Sequence, residues 1–167
     1  MPFRNSINQR LNDYVSDQSP DDFGRVNRGS IILKNGASYT GQWMNEMRDG
    51  WGVQIWPDGS MYEGYWKFDK ANGKGKLRHA DGDIYDGDWI NDKAHGLGTY
   101  AHSNGAYYKG SWVDDKQEGF GFEAWPDGAK YEGNYQDGKK HGKGKLMFAD
   151  GSYYIGEFMN NEICGRG

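Results

Sequence analysis

Tyr85-Asp86-Gly87-Asp88-Trp89-Ile90-Asn91-Asp92-Lys93-Ala94-His95-Gly96-Leu97-Gly98-Thr99-Tyr100 contains both halves of one structural unit. Tyr85, Gly87 and Trp89 alternate with Asp86 and Asp88, so the large rings share one face of a strand and the carboxylates the other. The polar run Asn91 to His95 connects this strand to a second, which starts at Gly96-x-Gly98 and carries Tyr100 on the ring side. Asn104-Gly105 follows, a pair suited to a tight turn because glycine takes positive φ without steric cost. The stretch reads as a β-hairpin.

The same hairpin recurs every 23 residues along most of the chain. The tyrosine returns as Tyr39, Tyr62, Tyr85, Tyr108, Tyr131 and Tyr154. Two residues after each comes a glycine, and two after that a ring: Trp43, Trp66, Trp89, Trp112, Tyr135 and Phe158. Gly-x-Gly follows each time, and Asp58-Gly59, Asp81-Gly82, Asn104-Gly105, Asp127-Gly128 and Asp150-Gly151 close the complete units. A single hairpin cannot bury its ring face in water, so successive units must stack and share it. The expected fold is all-β: an elongated single-layer rod of stacked antiparallel hairpins, roughly 55 Å long at ~4.8 Å per strand.

The unit boundaries fall at 39–61, 62–84, 85–107, 108–130, 131–153 and a partial 154–167. Gly29, Ile32 and Asn35-Gly36 fall one period earlier and mark 27–38 as a half repeat. Residues 1–26 lie outside the pattern. Within them Ile7, Leu11, Tyr14 and Val15 stand at helical spacing behind a Ser6/Gln9 capping pair, so this segment is read as a short helix or, alternatively, as a disordered tail. The sixth unit stops short of its second strand. The expectation is that the natural chain continues past Gly167; the alternative is that another chain supplies the strand.

Composition agrees with a thin structure. Aromatic residues make up 16% of the chain and glycine contributes 27 residues, yet mean hydropathy is −1.01, which leaves few aliphatic residues for a thick core. The net charge of −4 lacks the basic excess of a nucleic-acid binder. One cysteine, Cys164, cannot make an internal disulfide. No apolar run suggests a signal peptide or a membrane span, so an intracellular, cytoplasmic protein is expected.

Tyr131-Glu132-Gly133-Asn134-Tyr135, with Gly142-Lys143-Gly144 and Asp150-Gly151 after it, resembles the MORN (membrane occupation and recognition nexus) repeat, and so do the five other units. Tyr135 and Phe158 depart from the repeat's tryptophan, and Gln54 and Glu123 from its apolar residue. The resemblance implies a non-enzymatic role, as in ciliary and cytoskeletal scaffolds, membrane-junction proteins, and regulatory regions of phosphoinositide kinases and a lysine methyltransferase.

Short strings imitate other sites. Asp81-Gly82-Asp83-Ile84-Tyr85-Asp86 has a calcium-loop composition but no closing glutamate at the right spacing. Gly142-Lys143-Gly144-Lys145 precedes no helix that could hold a phosphate. His79 with His102, and His95 with His141, occupy equivalent positions roughly 10 Å or more apart, too far to share a metal. No catalytic residue, metal site or cofactor is expected. The variable face opposite the rings supplies the candidates. Trp51, Val53, Ile55, Leu97, Phe120 and Phe122 form the expected protein-binding surface, because units two and five fill those places with Lys74, Lys76, Arg78, Lys143 and Lys145. Those cations, with Lys139 and Lys140, form the alternative site, for phosphoinositide or other anionic lipid. The expected partners are other proteins of a cytoskeletal or axonemal complex, or a second copy at the open C-terminal edge.

Overall fold

The computed structural model describes residues 19–165. The expected N-terminal helix and Gly167 lie outside these residues. Among the described residues thirteen strands form one antiparallel sheet in strict chain order. β1 (Val26–Ile32) leads into β2 (Ser38–Met44) and β3 (Met47–Ile55), the first full hairpin. The following hairpins are β4 (Met61–Lys67) with β5 (Lys70–Arg78), and β6 (Ile84–Ile90) with β7 (Lys93–Ala101). β8 (Tyr107–Val113) pairs with β9 (Lys116–Ala124), and β10 (Lys130–Gln136) with β11 (Lys139–Met147). β12 (Tyr153–Met159) and the short β13 (Glu162–Cys164) complete the sheet. No helix occurs among the described residues.

The rings make one continuous zipper on the inner face. Tyr62 meets Trp66 of its own unit and Trp89 of the next, both edge-on, with centroids 5.0 and 5.3 Å apart. The alternation runs from Trp43 to Tyr154. Edge-to-face contact suits the ring quadrupoles and adds to the burial of large apolar area. Trp66, Trp89 and Trp112 are also tied back to the preceding unit: the Trp89 indole N–H donates to the Gly75 carbonyl at 3.0 Å, and Trp112 to Gly98 at 3.1 Å, whereas the Trp43 indole nitrogen has no such partner.

The two glycines of Gly-x-Gly answer different needs. Gly96 sits at φ +107 in a bulge where three residues of β7 stand opposite Asp88 alone. Gly98 lies under the Tyr85 ring, where a Cβ would come within 2.3 Å of the hydroxyl. Gly98 also faces Gly87 on one side and Gly110 on the other, and this row continues across the sheet from Gly41 to Gly156. A floor of bare backbone lets the tyrosines lie flat against the sheet.

The turns differ from the sequence reading. The tight connections are two-residue turns within the units, Asn91-Asp92 for example, with both residues at positive φ (48° and 68°). That is the type I′ geometry that matches strand twist, here built without glycine in most units. The second strand therefore starts at Lys93, three residues before Gly96. The Asp-Gly pairs lie instead in wider loops, where the Trp56 amide donates to Ser60 and the Gly59 amide to Trp56. The aspartate of the pair caps the amide two residues on, as Asp58 does for Ser60 at 2.8 Å.

From the second unit onward, each tight turn is latched to the unit before it. The Asp92 carboxylate accepts from the Ala71 amide at 2.7 Å while the Asp92 amide donates to the Ala71 carbonyl at 3.0 Å. Asp69 with Arg48, Asp115 with Ala94 and Asn161 with Lys140 repeat the pair. Gly138 keeps only the backbone half, to Gln117.

Candidate functional site

On the outer face the strands present the residues between the rings, and these fall into unlike zones. Trp51 and Ile55 are half-buried and Val53 is only 5% exposed, so the expectation that all three stand in water fails at Val53. Thr40, its cross-strand partner, is 8% exposed. The Trp51 ring packs edge-on against Tyr65, centroids 5.4 Å apart. Cross-strand neighbours thus help shield this end, a shielding that period-two reading cannot foresee.

Units three and four are open. Leu97 is 63% exposed and Phe120 58%, with Tyr107, Ile90 and Val113 exposed around them. Phe122 is half-buried, its ring 5.9 Å from that of Tyr107. Tyr107 was not among the residues singled out from sequence, although its place beside the unit's tyrosine puts it on the outer face. A groove runs on toward β12, lined by Phe120, Asn134, Lys143, Lys145, Ile155 and Glu157.

The basic residues do not share one surface. Lys74 pairs with Asp88 and Lys76 with Asp86 at 3.8 Å, each across a strand boundary. Burial opposes ionisation of Asp88, but the Lys74 ammonium and the Leu97 amide outweigh it and hold the carboxyl below its usual range. Arg78 lies on the same outer row as these two lysines. Lys143 and Lys145 lie on the outer face of β11, six strands away or about 29 Å, and Lys145 stacks on Tyr153 at 4.9 Å. Lys140 sits on the inner face over Trp125 at 5.0 Å, and Lys139 stands at the adjoining turn.

Among the described residues no three His, Cys, Asp or Glu side chains gather to hold a metal. No helix among them is long and apolar enough to cross a membrane. The Tyr100 hydroxyl and His102 both reach Asp83, at 2.8 and 3.4 Å, an anchor for the loop edge. The pockets of the inner face repeat with the units, floored by Trp66 and Trp89, then by Trp89 and Trp112.

Similar solved structures include the TCP domain of SAS-4 (dCPAP) of Drosophila melanogaster, with 15% identity over 83% of this chain and 68% of that one at a TM-score of 0.43. The wild-type TCP10 domain of Danio rerio CPAP has 14% identity over 83% of this chain and 87% of that one, TM-score 0.34. No curated protein matches. The MORN repeat matches at 39–61, 62–84, 85–107, 108–130, 131–153 and 154–167 without a gap. The chain belongs to the MORN repeat family, a non-enzymatic repeat module.

Proposed function

We propose that this chain is a docking scaffold for other proteins of an intracellular assembly, cytoskeletal or axonemal in kind, and that the partner sits on the outer face of β7–β9. The exposure of Leu97 and Phe120 carries this reading. The fold does not require apolar residues there, since Lys74 and Lys143 hold the equivalent places in other units. Large apolar side chains left in water in one patch mark a contact surface, and a buried ring at its centre contributes about 2 kcal/mol. The neighbouring β5–β6 strip, closed by its own Lys–Asp pairs, bounds the patch.

The test compares proximity labelling in cells by the wild-type chain and by a Leu97→Ser/Phe120→Ser variant, with melting curves of both. The reading requires loss of labelled partners at unchanged thermal stability. Retention of every partner by a folded variant sinks it. The lipid reading is weaker, because Lys74 and Lys76 are neutralised within the sheet and the remaining candidates are spread over both faces. Flotation with phosphoinositide vesicles at low salt is its direct check.

A further inference from the structure

Arg48 occupies a socket built by the next unit. Its guanidinium lies over the Trp66 ring at 4.6 Å. Its Nε donates to the Asp69 carboxylate at 3.1 Å, and Nη2 to the Asp69 carbonyl at 2.8 Å. A ring face, a carboxylate and a carbonyl converge on one cation, the strong form of arginine recognition. Trp and Asp stand three residues apart, on the strand end and in the tight turn, and the repeat copies both.

Units three and four carry the same frame, but the unit before each lacks the arginine. Position 48 corresponds to Ala71 and Ala94, which place a methyl where the guanidinium stem would start. Their amides bond to Asp92 and Asp115 at 2.7 Å, as the Arg48 amide does to Asp69, so the carboxylates hold the same position. Among the described residues neither Asp92 nor Asp115 is paired with a cation. Both open onto one inner-face cavity with Trp89 and Trp112, walled by Leu77 and Tyr100. Gln54, which meets Arg48 in unit one, is replaced by these two apolar residues. Unit five has Tyr135 and Gly138 and so lacks the frame.

We infer that Trp89 with Asp92 and Trp112 with Asp115 are two arginine sockets, and that they take a partner segment of the form Arg-Pro-Pro-Arg in the polyproline II conformation. The spacing selects the conformation. Successive units are two strands, about 10 Å, apart. A polyproline II helix returns to the same side every three residues, or about 9.3 Å, whereas same-side positions on a β-strand fall at about 7 or 13 Å. Charge complementarity supplies the cations, and Leu77 and Tyr100 offer the apolar wall against which proline rings pack. This inner-face surface is separate from the outer patch proposed above.

The probe is a fluorescein-labelled peptide containing Arg-Pro-Pro-Arg-Pro-Pro, titrated by anisotropy at low salt. Asp92→Asn with Asp115→Asn should weaken it by about tenfold, and the latch should survive because Asn161 already makes the same bond with an amide oxygen. Ala71→Arg with Ala94→Arg should abolish binding by filling both sockets from within. Arg48→Ala should open a third and tighten a three-arginine peptide, while the two-arginine peptide gains no more than the twofold of a second register. Circular dichroism verifies that each variant folds, and the arginine-filled pair keeps the test decisive if the Asn pair does not. Absence of wild-type binding overturns the inference, as does unaltered affinity in the folded Asn variant or after filling. Equal binding of a peptide with adjacent arginines, or tighter binding of a helix with arginines seven apart, overturns the assigned conformation. Phe120→Ser should not affect the peptide, so the two surfaces fail or stand independently.

Discussion

The Tyr135 hydroxyl donates a 2.6 Å hydrogen bond to the Glu123 carboxylate. These residues are two of the chain's departures from the repeat, and they compensate each other. A tyrosine in the tryptophan's place brings a hydroxyl into the ring zipper, and a carboxylate replaces the usual apolar residue to receive it. Burial first, and then Glu123, push the Tyr135 pKa up.

The pair is expected to behave as one unit in a double-mutant cycle. Tyr135→Phe leaves the carboxylate without its donor, and Glu123→Leu leaves the hydroxyl without its acceptor, each costing about 1–3 kcal/mol. Combining the two, Glu123→Leu with Tyr135→Phe, removes both halves of the bond and should cost less than the sum by at least ~1 kcal/mol. Urea titration measures this, and additive losses would show the pair to be uncoupled.

Alkaline pH should unfold the rod. Burial raises the pKa of Tyr39, Tyr62, Tyr85 and Tyr108, and takes Tyr131 to about 12, all from an ordinary value of 10.0. With the folded pKa above the unfolded one, the folded chain holds its phenolic protons more tightly. The stabilisation is complete below pH 10 and is lost as pH rises through the folded values. Thermal melts between pH 8 and 12 should show the midpoint falling once pH passes about 10.

The two roles of glycine separate by substitution. Gly98→Ala drives a methyl into the Tyr85 ring and should cost about 3 kcal/mol or more, comparable with overpacking a core. Gly105→Ala meets no atom within 4 Å and carries only the strain of φ +97, about 1 kcal/mol. Equal losses in chemical denaturation would contradict the ring-floor role.

Unit five should accept a stabilising latch. Gly138→Asp supplies the carboxylate that Asp115 uses one unit earlier, aimed at the Gln117 amide, in a left-handed conformation that aspartate tolerates. The expected gain is about 1 kcal/mol, or roughly 2–4 °C in Tm for a chain of this length. An unchanged midpoint would mean that the Glu118 contact with the Asp137 amide already serves this joint.

The hairpin period, the ring stripe and the glycine row were legible because they recur in fixed register. The tight turns were misplaced because Asn91-Asp92 reaches positive φ without glycine, while Asp-Gly looked like the stronger turn signal. The latch between Asp92 and Ala71 joins residues 21 apart, a distance that strand alternation does not reveal. Leu97 and Phe120 were readable as outward and are exposed. Val53, in the place that Thr99 and Phe122 take in later units, lies on the same face, yet its exposure depends on neighbours that differ between units. The arginine sockets required knowing where Arg48 points, since a missing side chain at Ala71 carries meaning only beside a filled copy.

Because the glycine floor and ring zipper join each unit only to its neighbours, every repeat sets the position of the next by two strand spacings and nothing more. Chain length in such a molecule is a ruler graduated in steps of about 10 Å. Copying or deleting 23 residues would slide apart, or bring together, whatever is bound at either side of the seam, while leaving each binding surface intact.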